Sequence, residues 1–194
     1  MSIKNLLKKI IYFFTGAPKN YLIGNKSVIY LGANIFNCHK TPNKIKIGDF
    51  THIRGDLLIF GHGGMIEIGD YCYVGENTKI WSGISIKIGS RVLISHNCNI
   101  FDNDTHPLDH AARHEQFKAI ISAGHPAIID LKDEPVSLGD DVLIGANSTI
   151  LKGVSIGARS IIGAGSVVTA NIPPDVVAAG NPAKVIKNLR QDRV

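Results

Sequence analysis

The sequence predicts an all-β fold, a parallel β-helix of six-residue repeats, and three observations predict it. Aliphatic residues recur six apart as Ile23, Ile29, Ile35, Ile47, Ile53 and Ile59, with Thr41 in the one polar slot. After a three-residue slip the series resumes at Ile68, Val74, Ile80 and Ile86; a two-residue slip restarts it at Ile88, Ile94 and Ile100. It returns downstream as Leu138, Ile144, Ile150, Ile156, Ile162 and Val168. Within that last block, as in IGANST and IGARSI, glycine usually follows the aliphatic, and a small or β-branched residue stands four places after it. Finally, 20 glycines with only 7% aromatic residues suit many tight corners around an aliphatic core.

Period six fits neither a 3.6-residue helix nor one long alternating strand. It fits a chain that turns a corner every six residues, so that three short strands close a triangular coil, with glycine where the corner needs an unusual backbone angle. Residues 23–105 and 138–173 supply about six to seven such coils, stacked near 4.8 Å. Cys72 and Cys98 fall at small inward positions and read as packed thiols, with no basic neighbour evident to activate them; Cys38 lies one place off and reads as a turn residue. An odd cysteine count without CxxC spacing argues against a disulfide framework and for a reducing, cytoplasmic setting.

A chain of 194 residues suits one domain, here 21–194, preceded by a short helical segment over 1–20. In MSIKNLLKKIIYFFTGAPKN the apolar residues Leu6, Leu7, Ile10, Ile11, Phe13 and Phe14 lie roughly on one helical side. The run is too short to span a bilayer, and Lys8 and Lys9 interrupt what a signal peptide would need. It reads as a cap on one end of the fold, or as a basic amphipathic helix at the inner face of a membrane. The first 48 residues hold eight lysines and no acid, within a net charge of +5, so that half should attract an anionic partner: a phosphate-bearing cofactor, an acidic polysaccharide, a membrane surface or nucleic acid. The basic half lacks the interleaved aromatics of a nucleic-acid stacking platform, which disfavours the last.

Residues 106–137 break the period. They read as an extended loop pushed out from one corner, carrying His106, His110, His114 and His125 and prolines at 107, 126 and 135. Such insertions commonly carry function. The slot after Ile100 is position 106, where a histidine stands in place of the next aliphatic. Asp102, Asp104 and His106 alternate, with Asp104 in an inward hexad slot, a spacing that could also bind metal.

ISHNCNIFDNDTHPLD and IGANSTILKGVSIGARSIIGAGSVVTANIPPDVVAAGNPAKVI resemble, in order, the His-Pro segment and the coenzyme-binding coils of the hexapeptide-repeat acyltransferases. These left-handed β-helix enzymes include the galactoside, maltose and capsule-type O-acetyltransferases, and the resemblance covers about residues 23–188. It implies a left-handed coil, a C-terminal closing segment, and a homotrimer binding acetyl-CoA as co-substrate in slots between subunits, with no metal. It also implies His106 as catalytic base, Asn97 as acceptor contact, and coenzyme contacts at Gly145, Ala146, Gly163, Ala164, Thr169 and Lys184. Asp104 and His110 are further candidates for the acceptor. Leu143 and Ala170 depart from the family's usual tryptophan and lysine.

The chemistry suits these residues. A neutral alcohol attacks a thioester poorly, and a histidine, largely neutral at pH 7, can take its proton as the bond forms. The function so implied is acetyl-CoA-dependent O-acetylation of a carbohydrate, a surface polysaccharide or its precursor. The alternatives are sugar N-acetylation, a zinc enzyme resembling γ-carbonic anhydrases on the same fold, and a non-catalytic glycan- or membrane-binding module.

Overall fold

The computed structural model describes residues 20–190, which wind through six three-stranded coils. The first three contain β1 (Leu22–Ile23), β2 (Val28–Ile29) and β3 (Ile35–Asn37); β4 (Ile45–Ile47), β5 (His52–Ile53) and β6 (Asp56–Ile59); β7 (Ile66–Ile68), β8 (Tyr73–Val74) and β9 (Lys79–Ser82). The next three contain β10 (Ile86–Ile88), β11 (Leu93–Ile94) and β12 (Asn99–Phe101); β13 (Val136–Leu138), β14 (Leu143–Ile144) and β15 (Thr149–Ile150); β16 (Ser155–Ile156), β17 (Ile161–Ile162) and β18 (Val167–Val168). Equivalent strands stack in parallel into three sheets, the walls of a left-handed triangular prism. β19 (Val176–Gly180) extends the second sheet and pairs antiparallel with β20 (Ala183–Asn188), which ends the prism.

The predicted aliphatic columns are buried from Ile47 onward, joined by Cys72 and Cys98, while Ile23, Ile29 and Ile35 of the first coil are partly buried against them. Each such side chain contributes on the order of 1.5 to 3 kcal/mol relative to exposure. Burial also pushes both thiols up, away from nucleophilic thiolate, so neither serves as an acyl carrier. Cys38 is exposed. Thr41 does not occupy a ladder slot: it is exposed beside a 3-10 turn at Pro42–Lys44, and buried Asn37 donates its amide to the carbonyls of Asn20 and Thr41.

Glycine supplies the unusual corner angle at some turns, as at Gly153 (φ 74°) and Gly165 (φ 69°), but not at most of them. Left-handed corner angles fall on Phe50, Tyr71, Arg91, Asp141, Arg159 and Asp175 along one edge and on Asn77, Asn97 and Asn147 along another. Glycine at the neighbouring positions answers a different need, close stacking. A Cβ on Gly69 would stand 2.7 Å from the backbone carbon of Gly89, and one on Gly145 would stand 2.5 Å from the amide nitrogen of Ala164. The strained corners, at about 1 to 2 kcal/mol each, carry ion pairs between coils, Arg91 to Asp141 and Arg159 to Asp175, both at 2.6 Å.

Between β12 and β13 the chain leaves the prism over residues 102–135, while Ile86–Ile88 pairs directly with Val136–Leu138. Buried Asp102 makes the exit. Its carboxylate accepts from Ser82 Oγ at 2.6 Å, from the amides of Gly83, Ile84 and Ser85, and from Asn103 Nδ2. The insertion is not only a loop, because α1 spans His110–Ala123. Asp109 caps it by accepting from the Ala112 amide, and Gly124, at φ 98°, ends it. The periodicity does not reveal this helix because its one buried side chain is Gln116 and it carries no apolar stripe. The return leg is fastened by buried Leu131 and by His62 Nε2 to Asp133 Oδ1 at 3.2 Å.

The reading of the first residues as a cap or membrane-surface helix lies outside the described residues. No described helix is long and apolar enough to cross a membrane.

Two expectations follow. Asp102→Ala strands three backbone amides, and urea titration should show a loss of about 3 kcal/mol or more. Asp175 lies between Arg159 and Arg190, whose charges hold its carboxyl well below the usual carboxylate range. A depressed value means the pair's contribution is complete above about pH 4 and is lost as acid titrates the folded state. Hydrogen-exchange protection factors over Val176–Asn188 should fall below about pH 4, and in Asp175→Asn that acid dependence should be absent.

Candidate active site

Past Asp102, the side chain of Asn103 accepts from the Thr105 amide, and Thr105 takes φ 59°, a costly angle for a β-branched residue. The His106 amide then donates to the Asp104 carbonyl at 2.6 Å. These contacts end the ladder at Ile100 and set His106 on the surface, so position 106 is not a further inward slot. Asp104 is not inward either: Asp102 is the buried acid, while Asp104 lies partly exposed and pairs with Lys152 at 2.9 Å. Asp102, Asp104 and His106 therefore do not share a strand face.

α1 folds back over this turn and lays Gln116 against it. Gln116 Nε2 donates to the Thr105 carbonyl at 3.2 Å, and its Oε1 stands 2.7 Å from His106 Nδ1. A backbone carbonyl only accepts, which orients the amide; the amide oxygen facing the ring then requires the hydrogen of a neutral imidazole on Nδ1. In the neutral ring the lone pair then falls on Nε2, and the side chain is exposed. Sequence reasoning missed Gln116, since an isolated glutamine on a largely exposed helix gives no signal.

His106 borders two concavities. One, of about 340 Å³, is lined by His106, His110, Arg113, His114 and Phe117. The other, of about 220 Å³, includes Asp104, Pro107, Leu108, Leu131 and Lys132. A larger groove of about 550 Å³ lies on the first sheet around Ser137, Ser155 and Asn171, but no ionisable side chain lines it, so it lacks acid–base chemistry. His125 packs edge-on against Phe60, and burial, with help from His62 and His106, pushes its pKa down.

The remaining predicted residues occupy a different edge. Asn97 is exposed where the second sheet turns into the third, in the corner column that also holds Ala146, Asn147 and Ala164. Gly145 and Gly163 stack there, and Ala179 follows them, since a Cβ on Gly163 would stand 2.9 Å from that of Ala179. Lys184 pairs with Ala179 and so stands at the end of this column. Thr169 does not join it: it is exposed after β18, where the third sheet turns toward the first, the side on which His106 leaves the prism. One chain thus carries His106, Asp104 and His110 on one edge, and Asn97, the Gly–Ala column and Lys184 on another, with the filled core between them.

No three His, Cys, Asp or Glu among the described residues converge as a metal site requires, so the zinc alternative finds no ligand set there. Small, half-exposed Ala146 and Ala164 leave the Gly–Ala edge open, and Lys184 offers a cation at its end, which fits a thin, phosphate-bearing coenzyme arm. The glycines alone do not argue for it, because stacking already requires them.

Comparison with known proteins agrees with this architecture. Residues 135–170 match the family model described as the hexapeptide repeat of succinyl-transferase. Galactoside O-acetyltransferase of Escherichia coli is 36% identical over 132 residues, covering 68% of this chain and 58% of that one. The chain spans between 51% and 59% of the length of the first curated relatives it matches. A hexapeptide-repeat acetyltransferase of Vibrio cholerae, solved with acetyl coenzyme A, is 25% identical with TM-score 0.56, covering 97% of this chain and 80% of that one. The N-acyltransferase AntD of Bacillus cereus, solved with dTDP and 3-hydroxybutyryl-CoA, shares the fold at 23% identity and TM-score 0.69, covering 96% and 88%.

The tautomer argument has a direct check. In Gln116→Ala the imidazole loses the partner that holds the hydrogen on Nδ1, and nitrogen NMR of His106 should change from one dominant tautomer to a mixture, with Gln116→Glu restoring the Nδ1–H form. The repeats and the prism they build are those of a hexapeptide-repeat, left-handed β-helix, and along it the chain is similar to acetyltransferases built on that repeat.

Proposed function

We propose that this protein transfers an acetyl group from acetyl-CoA to a carbohydrate hydroxyl, with His106 as general base, in sites formed between chains of a homotrimer. The observation that carries the reading is the Thr105–Gln116–His106 chain of hydrogen bonds, which turns the neutral imidazole's hydrogen to Nδ1 and leaves Nε2 as its accepting nitrogen, on a side chain that lines two concavities. Such a base typically contributes about 10² to 10⁴ in rate. The thioester supplies the activated acyl carbon. His106 Nε2 takes the hydroxyl proton as the new C–O bond forms, Gln116 Oε1 steadies the resulting imidazolium through Nδ1–H, and Nε2 returns the proton to the departing thiolate. An exposed base on an outer edge suits a long acceptor, a surface polysaccharide or its precursor. The 36% identity to a galactoside O-acetyltransferase supports the O-linked choice.

Two observations support assembly. The His106 edge and the Gly145–Lys184 edge cannot meet within one filled prism, whereas edges of neighbouring prisms can face each other. Leu108, Phe117, Ile121 and Ile128 are exposed on the insertion, and a helix whose one buried side chain is a glutamine gains little from burial within its own chain.

In His106→Ala, kcat should fall at least about 10²-fold while acetyl-CoA still raises the thermal midpoint; retention of more than about a tenth of kcat overturns the base role. Co-expressing His106→Ala with Ala146→Trp should restore part of the activity that each lacks alone, because a hybrid trimer recreates an intact interface. No recovery in verified hybrids argues for sites within single chains. Release of the product's acetyl group by mild alkali distinguishes an ester from an amide.

A further inference from the structure

We infer that the acceptor carries an anionic group, a phosphate or a carboxylate, beside the hydroxyl that is acetylated, and that Arg113 reads it. The inference rests on His106 being the base and names the substrate class for that site.

Positions 110, 113, 114 and 117 follow the i, i+3, i+4, i+7 spacing of one helical face, and α1 turns that face into the 340 Å³ concavity against His106. Its lining contains one obligate cation, two further imidazoles and an aromatic ring, but no carboxylate. The acids of this segment are engaged elsewhere: Asp109 caps the helix, and Glu115 pairs with Lys118 at 2.7 Å.

Arg113 is held rather than loose. Its Nη1 donates to the carbonyls of Pro107 at 3.1 Å and Leu108 at 3.0 Å, tying the guanidinium to the residues immediately after His106. Those bonds use Nη1 alone. The fork made by Nε and Nη2 has no hydrogen bond among the described residues, and elsewhere this chain uses the same fork to grip carboxylates, as Arg91 does on Asp141 and Arg159 on Asp175. A planar two-donor fork matches a carboxylate or phosphate edge, and such charge-assisted pairs are about twice as strong as neutral ones.

The anion cannot be the coenzyme's own phosphates. The full pantetheine arm separates them from the thioester, so a thioester placed at His106 puts them well away from a side chain anchored at Pro107 and Leu108. An anion bound beside the base belongs to the acceptor.

The test compares glucose 1-phosphate, glucuronic acid and methyl glucoside as probes of the wild-type protein and of Arg113→Gln, by saturation-transfer NMR for binding and by acetyl-CoA turnover for kinetics. The wild type should bind at least one anionic probe about tenfold or more tightly than the neutral one, and Arg113→Gln should collapse that ratio, with Arg113→Lys recovering part of it. A preference between the two anions tells phosphate from carboxylate. Equal binding of charged and neutral probes, or a ratio unchanged by Arg113→Gln in a variant with native circular dichroism, overturns the inference. Failure of the catalytic reading looks different: Arg113-dependent binding would persist with no acetyl transfer to any probe.

Discussion

The direct pairing of Ile86–Ile88 with Val136–Leu138 is the constraint on which the rest of this structure depends. Two strands that are neighbours in the stack are separated in the chain by residues 102–135, so that excursion must leave and re-enter at one corner. Asp102 meets the requirement at the exit, where a buried carboxylate gathers the amides of Gly83, Ile84 and Ser85 that the preceding coil leaves at its own corner. At the re-entry the Glu134 amide donates to the Asp102 carbonyl. The helical stack continues above and below as though nothing had been inserted.

That division explains how a repetitive fold acquires one chemically distinct position. Along the prism every inward side chain sees the same surroundings and every corner repeats, so no ionisable group is singled out. The insertion breaks the repeat once. Within it, the left-handed Thr105 and the buried Gln116 fix a single histidine in orientation and tautomer, and strain of about 1 to 2 kcal/mol is tolerated because the Asp102 corner beneath it is over-determined. The other imidazoles lack that arrangement. His62 is engaged with Asp133, and His125 stacks edge-on against Phe60.

The triangular section also separates functions. One edge carries His106 and the cationic face of α1; another carries the open Gly–Ala column ending at Lys184. A filled core keeps the two edges apart within one chain. The insertion also leaves Leu108, Phe117, Ile121 and Ile128 exposed.

The amino-acid sequence by itself determined the prism, because a six-residue aliphatic period has one economical solution and burial of Ile53, Ile80, Ile94 and Ile144 depends only on their place in that period. It also singled out His106, as the ionisable residue where the repeat stops. Tertiary structure alone decided three other matters. α1 has no apolar stripe to announce it, so its formation rests on the Asp109 cap and on Gln116 meeting a turn ten residues earlier in the chain. Asp102 rather than Asp104 became the inward acid because the chain changes direction at Phe101, which a count of sixes carries straight through. And corner glycines such as Gly69 and Gly145 answer stacking rather than backbone angle, since their crowding comes from the neighbouring coil, a strand spacing away in space, whereas Gly165, at φ 69° and uncrowded, supplies the angle itself.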